Sequence, residues 1–177
     1  MKRIIFSTLT LLLITGSSLC KEKIDIEKEK AAIIAVIEEE TNAFRDKDFD
    51  RFAATYVQDE TNIRLSARKS GYIYVVGWEE LGSGFKEYIE NNPEPSTTDK
   101  AEKINYKIKV YKESAWAVND EVRYDGEGEV SSKLIAVRFL EKVNGEWKIV
   151  YLSFVSATSY EEEIEKGEAE PESEETE

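Results

Sequence analysis

The sequence predicts an α+β domain in which helices come first and a mainly antiparallel sheet follows. Three observations carry this. Apolar residues between Ile26 and Phe44 recur at helical spacing. After Glu102 the period changes to two. Near the end, Asn144-Gly145 stands between two β-branched and aromatic runs, the dipeptide that most strongly signals a two-residue hairpin turn.

The first helical stretch puts Ile26, Ile33, Ile37 and Phe44 on one face, with Val36 and Ile34 beside them and Glu and Lys between. Asp46-Lys47-Asp48 ends it, and Asp48 can cap the next start, where Phe49, Phe52, Ala53, Tyr56 and Val57 predict a second short helix. Thr61 to Ala67 and Gly71 to Val76 are β-branched and aromatic, the two arms of a hairpin. Trp78 to about Glu90 predicts a third helix with Leu81, Phe85, Tyr88 and Ile89 as its buried stripe. Gly82-Ser83-Gly84 inside it is no phosphate loop, since no strand precedes it and no Lys follows; such glycines allow close packing.

Asn91 to Glu102 holds Pro93 and Pro95 among polar residues and reads as a surface loop. Ile104, Tyr106, Ile108 and Val110 then alternate with polar residues, Lys112-Glu113 turns the chain, and Ala115 to Tyr124 returns as a strand. After the loop Asp125-Gly126-Glu127-Gly128, Ser131 to Val143 and Glu146 to Ala157 form the last hairpin. Counting back from its turn sets Leu140 opposite Ile149, Arg138 opposite Tyr151 and Ala136 opposite Ser153. The other face then carries Val137, Phe139, Val150, Leu152 and Phe154 and is almost wholly apolar. One face must meet the helices and the other a second sheet or subunit, so a homodimer through the sheet is expected.

The chain's 177 residues leave room for one domain, expected over 27–158, once two unusual ends are set aside. Met1-Lys2-Arg3, the apolar run Ile4 to Ile14 and the small residues Thr15 to Ser18 have the layout of a secretory signal over 1–20, followed by a linker over 21–26. The apolar run is too short to span a bilayer as a mature helix. Cys20 is the only cysteine, which excludes an intramolecular disulfide and a thiolate metal cluster. Its place after the run suggests a lipoprotein signal, against which stands Leu19 where such signals have a small residue; ordinary cleavage after Ser18 or Cys20 is the alternative. The expected location is the periplasm, or a lipid-anchored position on the cell envelope. Residues 159–177 are mostly Glu, with almost nothing apolar to offset ordering entropy, and read as a disordered acidic tail. The tail supplies much of the formal charge of −13, and no basic stripe is visible, so no nucleic-acid partner is expected.

Three words carry a resemblance: Phe44-Arg45-Asp46-Lys47-Asp48-Phe49-Asp50 with Tyr56 and Asp59 downstream, Gly77-Trp78-Glu79-Glu80-Leu81, and Asn144-Gly145-Glu146-Trp147-Lys148-Ile149. Their order and spacing, over nearly all of Glu27 to Thr158, resemble the nuclear transport factor 2-like superfamily, in particular its SnoaL-like and association-domain-like branches. The resemblance implies a cone: three N-terminal helices packed on a strongly curved, mainly antiparallel sheet, with a pocket between them. That scaffold hosts isomerases, dehydratases, cyclases, binding modules and assembly domains, so site residues must decide the function.

Ketosteroid isomerase-like members carry a carboxylate base where this chain has Arg64, and a guanidinium accepts no proton at neutral pH. Members resembling the association domain of calcium/calmodulin-dependent kinase II carry pocket arginines on late strands; Arg138 falls on one such position and Asn119 replaces another. Where relatives place histidines on the last strand this chain has Tyr151 and Ser153, and it contains no histidine at all. The expected pocket therefore bears Arg64, Asn119, Glu121, Arg138, Tyr151 and Ser153, walled by Trp78, Trp147 and one or more of Tyr56, Tyr72 and Tyr74. A guanidinium there suits a small, partly apolar anion. Against this stands a plainer reading in which Arg138 and Glu121 are a satisfied ion pair and the aromatic residues are core. Asp59 reads as a turn or cap residue. No nucleophile with an adjacent base, no metal set and no nucleotide fingerprint is present, so no cofactor or metal is expected. A non-catalytic binding or assembly module comes first. A cofactor-free isomerase or dehydratase using Glu121 as proton acceptor comes second, and a structural dimer with a filled cavity third.

Overall fold

The computed structural model describes residues 24–68, 71–96 and 100–156. The expected signal over 1–20 with Cys20, and the acidic tail over 159–177, lie outside the described residues.

Helix α1 runs Ile26–Arg45, with the Asp25 carboxylate accepting from the Lys28 amide at its start. Helix α2, Phe49–Ala54, begins the same way: Asp48 accepts from the Arg51 amide. Strands β1 (Ile63–Arg68) and β2 (Gly71–Val76) form the expected hairpin, and helix α3 spans Trp78–Asn91. Gly77, at φ 87°, makes the bend from β2 into α3. Then come β3 (Lys100–Val110), β4 (Ser114–Tyr124), β5 (Val130–Val143) and β6 (Glu146–Ser156). Strand β3 starts inside the stretch read as loop, at Lys100, because its early residues pair with β4 as far as Lys100–Tyr124. The pairing is tertiary, and Pro93 and Pro95 punctuate only the residues before it.

The six strands form one sheet in the order β2-β1-β6-β5-β4-β3. All neighbours are antiparallel except β1 and β6. The helices cover one face, where Ile33 and Ile37 of α1 and Phe52 of α2 pack with Leu140, Ile149 and Leu152. Phe44, Phe52 and Phe85 join α1, α2 and α3 through ring contacts of 4.5 to 5.8 Å.

The register of the last hairpin holds near its turn and then slips. Leu140 faces Ile149 as counted, but the next pair is Phe139 with Tyr151, which leaves Val150 as an extra residue in β6. Beyond this bulge the parity of β6 reverses: Arg138 lies opposite Leu152, Val137 opposite Ser153 and Ala136 opposite Phe154. The expected pairs Arg138–Tyr151 and Ala136–Ser153 are therefore corrected, and so is the expected outer row. Leu152 and Phe154 turn in beside Arg138, while Tyr151 and Ser153 turn to the face of Phe139 and Val137. Phe139 and Tyr151 meet edge to face there at 6.0 Å. A second irregularity between Ile104 and Lys107, with Asn105 at φ 59°, turns Tyr106 toward α1, where its hydroxyl donates to Glu38 at 2.9 Å.

Candidate ligand pocket

The inner face of the sheet carries charged side chains among apolar ones, and the helices decide which of them reach solvent. Arg138 of β5 is fully enclosed. Its Nη1 donates to Asn119 Oδ1 at 3.0 Å, and its Nη2 lies 3.5 Å from Glu40 Oε2 and 3.9 Å from Glu121 Oε2. Glu40 comes from α1 and also accepts from the Tyr56 hydroxyl at 3.0 Å. Burial first, and then the Glu40 charge, push the Tyr56 phenol well above its ordinary range, so it stays a donor. Arg138, Asn119, Glu40, Glu121 and Tyr56 are thus one buried network, in which a cation faces two carboxylates and each acid has further donors. Arg138 Nε and Glu121 Oε2 have no hydrogen-bond partner among the described residues.

In front of this network, between the C-terminal half of α1, α3 and the inner face of the sheet, lies a cavity of about 320 Å³. Phe44, Phe85, Tyr88 and Phe154 give it apolar walls. Its charged lining is Arg45, Lys47, Arg64 and Arg123 against Glu40 and Glu121. The guanidinium carbons of Arg64, Arg123 and Arg138 lie 5.5, 5.4 and 5.6 Å from the centre of the Phe154 ring, so three cations gather around one aromatic side chain. Arg123 is paired with Glu121 Oε1 at 2.7 Å. Arg64 stacks also on Phe85 at 4.8 Å, and no carboxylate of the described residues lies within ion-pair distance of it. A larger groove of about 630 Å³ runs between α1 and the β5–β6 hairpin, but its charges already answer one another: Lys142 pairs with Glu29 at 2.7 Å and Arg51 with Glu39 at 2.8 Å.

Of the residues singled out from the sequence, Arg64 and Glu121 line the cavity, and Arg138 and Asn119 stand directly behind it. Tyr151 and Ser153 do not reach it, because the β6 bulge turns them to the opposite face. Trp78 packs into the core against Phe49 and Tyr56, with ring centres at 6.5 and 5.5 Å. Trp147 is buried under α1 and donates to Glu29 at 2.7 Å. Tyr72 and Tyr74, on edge strand β2, are exposed and do not line this cavity. Asp59 builds a turn, its Oδ1 accepting from the Thr61 hydroxyl at 2.6 Å and amide at 2.8 Å, contacts that hold its carboxyl below the usual range.

Glu40 and Arg123 are absent from the sequence reading. Glu40 carried a signal, since it falls three residues after Ile37 and three before Ala43 on the apolar stripe of α1, where a carboxylate is out of place unless paired. Arg123 carried one too, since it follows Glu121 by two residues on the same face of the expected strand, and Glu121 pairs with it at the cavity.

No protein-family profile and no curated protein matches this chain. Solved structures do. A cystatin-like-fold protein of unknown function from Nostoc punctiforme is 17% identical, with a TM-score of 0.59 over 75% of this chain and 93% of that one. An NTF2-like protein of unknown function from Pseudomonas putida is 16% identical, with a TM-score of 0.59 over 77% and 92%. A candidate calcium/calmodulin-dependent protein kinase type II association domain from Thiobacillus denitrificans is 11% identical, with a TM-score of 0.55 over 71% and 94%. At these identities the likeness establishes the fold, the nuclear transport factor 2-like cone that the resemblance implied, and leaves the chemistry to the pocket.

Proposed function

We propose that this nuclear transport factor 2-like chain is a non-catalytic, SnoaL-like binding module that takes a small, partly apolar anion into the pocket, and that it works as a homodimer joined through the outer face of its sheet. Arg64 carries the reading. Its guanidinium stands between two aromatic rings on the wall of a cavity, with no carboxylate of the described residues in ion-pair reach. A cation so placed is ready for a carboxylate or similar anion, and the rings beside it suit an apolar body. The volume limits the ligand to a small molecule. Export, with or without a lipid on Cys20, belongs to the same proposal and is carried by residues 1–20 alone.

The alternative of a cofactor-free isomerase or dehydratase needs Glu121 to reach a substrate proton. Oε1 of Glu121 is held by Arg123, and Oε2 is buried with almost no accessible surface. One oxygen is thus occupied by a guanidinium and the other is buried, which favours binding over proton transfer. A cavity of this size also speaks against a dimer whose interior is filled by its own side chains.

Arg64→Met tests the proposal, since it keeps most of the packing and removes the charge. Affinity for aryl carboxylates such as phenylacetate and 3-phenylpropionate, measured by ligand-observed NMR, should fall by about tenfold, the worth of one charge-assisted hydrogen bond. Equal affinity in both proteins would overturn it.

A further inference from the structure

We infer that the acidic C-terminal segment of this same chain, from Glu161-Glu162-Glu163 onward, seats its carboxylates at the mouth of the pocket and competes there with a diffusible anion. The inference rests on the reading of the pocket as an anion site.

Place, charge and reach support it. Strand β6 ends at Ser156, opposite Leu134 of β5. Phe154, two residues earlier, lines the cavity, and so does Ser131, which lies farther along β5 in the direction in which β6 is heading. The chain therefore leaves the sheet at the rim of the pocket. That rim presents Arg45, Lys47, Arg64 and Arg123, while its two carboxylates, Glu40 and Glu121, are already engaged by Arg138 and Arg123. Lys47 lies over the rings of Phe44 and Tyr88, at 5.0 and 4.7 Å, and like Arg64 has no carboxylate partner among the described residues. Residues 157–177 contain ten glutamates against one lysine, a charge of −9 out of the −13 of the whole chain. The acidic excess of the protein and the cationic excess of its pocket are thus separated by a few residues of chain. Glu161 lies five residues past Ser156, and an extended chain covers roughly 17 Å in that distance. Closing so short a loop costs little entropy, and tethering keeps the segment at an effective concentration in the millimolar range, so even weak ion pairs fill the site.

The test compares the full chain with a variant in which Glu161, Glu162, Glu163 and Glu165 are all replaced by Gln. In ¹⁵N spectra at low ionic strength, the Nε–H signals of Arg64 and Arg123 and the amide of Phe154 should differ between the two proteins, and the difference should vanish in 1 M NaCl. The variant should also bind phenylacetate several-fold more tightly. Superimposable signals at those three residues would overturn the inference, as would differences confined to the lysines of edge strand β3. Differences that appear only as protein concentration rises would assign the contact to a second molecule and overturn it as well. If the signals differ but Arg64→Met leaves phenylacetate affinity unchanged, the docking stands and the diffusible-ligand reading falls. If the signals coincide while Arg64→Met weakens phenylacetate, the pocket reading stands alone.

Discussion

Arg64 and Arg138 point from the same face of the sheet, yet their surroundings give them different work. Arg138 is 0% exposed and is faced by Glu40 and Glu121, at 5% and 2% exposure. Enclosed carboxylates of this kind are tolerated because a cation and several donors answer them. Removing that cation leaves two acids without it, whereas removing Arg64 exposes no such debt. Arg138→Met should therefore cost about 3 to 5 kcal/mol of stability, measured by urea unfolding near neutral pH. A cost below about 1 kcal/mol would show that the network does not depend on this guanidinium. The substitution is for the same reason a poor probe of ligand affinity, a role in which Arg64 replaces it.

At the scale of elements, the third helix shows close packing bought by a single missing methyl group. A Cβ on Gly82 would lie 2.8 Å from Trp78 Cε2, and the Trp78 ring is itself wedged against Phe49 and Tyr56. A Cβ on Gly84, two residues on, would meet nothing within 4 Å. The two glycines should respond in opposite directions to alanine. Gly84→Ala gains helix propensity and should stabilise by about 0.5 to 1 kcal/mol. Gly82→Ala gains the same propensity but overpacks the Trp78 contact, at about 1 to 3 kcal/mol, and should destabilise. Paired thermal or urea melts decide this, and stabilisation by both would mean that Trp78 moves aside freely. The reading of Gly82-Ser83-Gly84 as a close-packing site thus applies to its first glycine alone.

The bulge in β6 is the element that reorganises the site. Local signals placed the hairpin and its first pairs, because a two-residue turn dictates the register of its neighbours. Val150 lies too far from that turn to be governed by it, and one extra residue inverts every side chain beyond. Through that single residue Tyr151 and Ser153 turned away from the pocket, Leu152 turned into the core and Phe154 into the cavity wall.

For the whole molecule, the decisive feature is the outer face of the sheet. Tyr72 is 76% exposed, Tyr74 59% and Phe139 50%, with Ile135 and Val155 also open on the same face. The charges on this face, Lys107 and Lys109 of edge strand β3 with Asp120 and Lys133, lie toward the β3 side of the sheet. On the homodimer proposal a second subunit covers this surface. Light scattering at micromolar concentration should give twice the mass of the chain, and Phe139→Glu should shift it toward the monomer. A monomeric mass for the unaltered protein would remove the dimer.

The helices, the turns and the alternating strands could be read from the sequence, since each is set by residues within a few positions: Asp48 capping α2, Gly77 bending into α3, Asn144-Gly145 closing the hairpin. Arg64 was legible as a site candidate through the position it takes in the family resemblance, and Glu121 because strand periodicity put it on the inner face. Of the charges that face one another, only Arg138 and Glu121 were legible as a pair. Glu40, Arg138 and Glu121 lie far apart in sequence, and only the packing of α1 across the sheet encloses them while leaving Arg64 and Arg123 on the wall of a cavity. Local conformational preference acts over a few residues, whereas burial and ion pairing are properties of surfaces brought together from the whole chain, so the former was written in the sequence and the latter was decided by the tertiary structure.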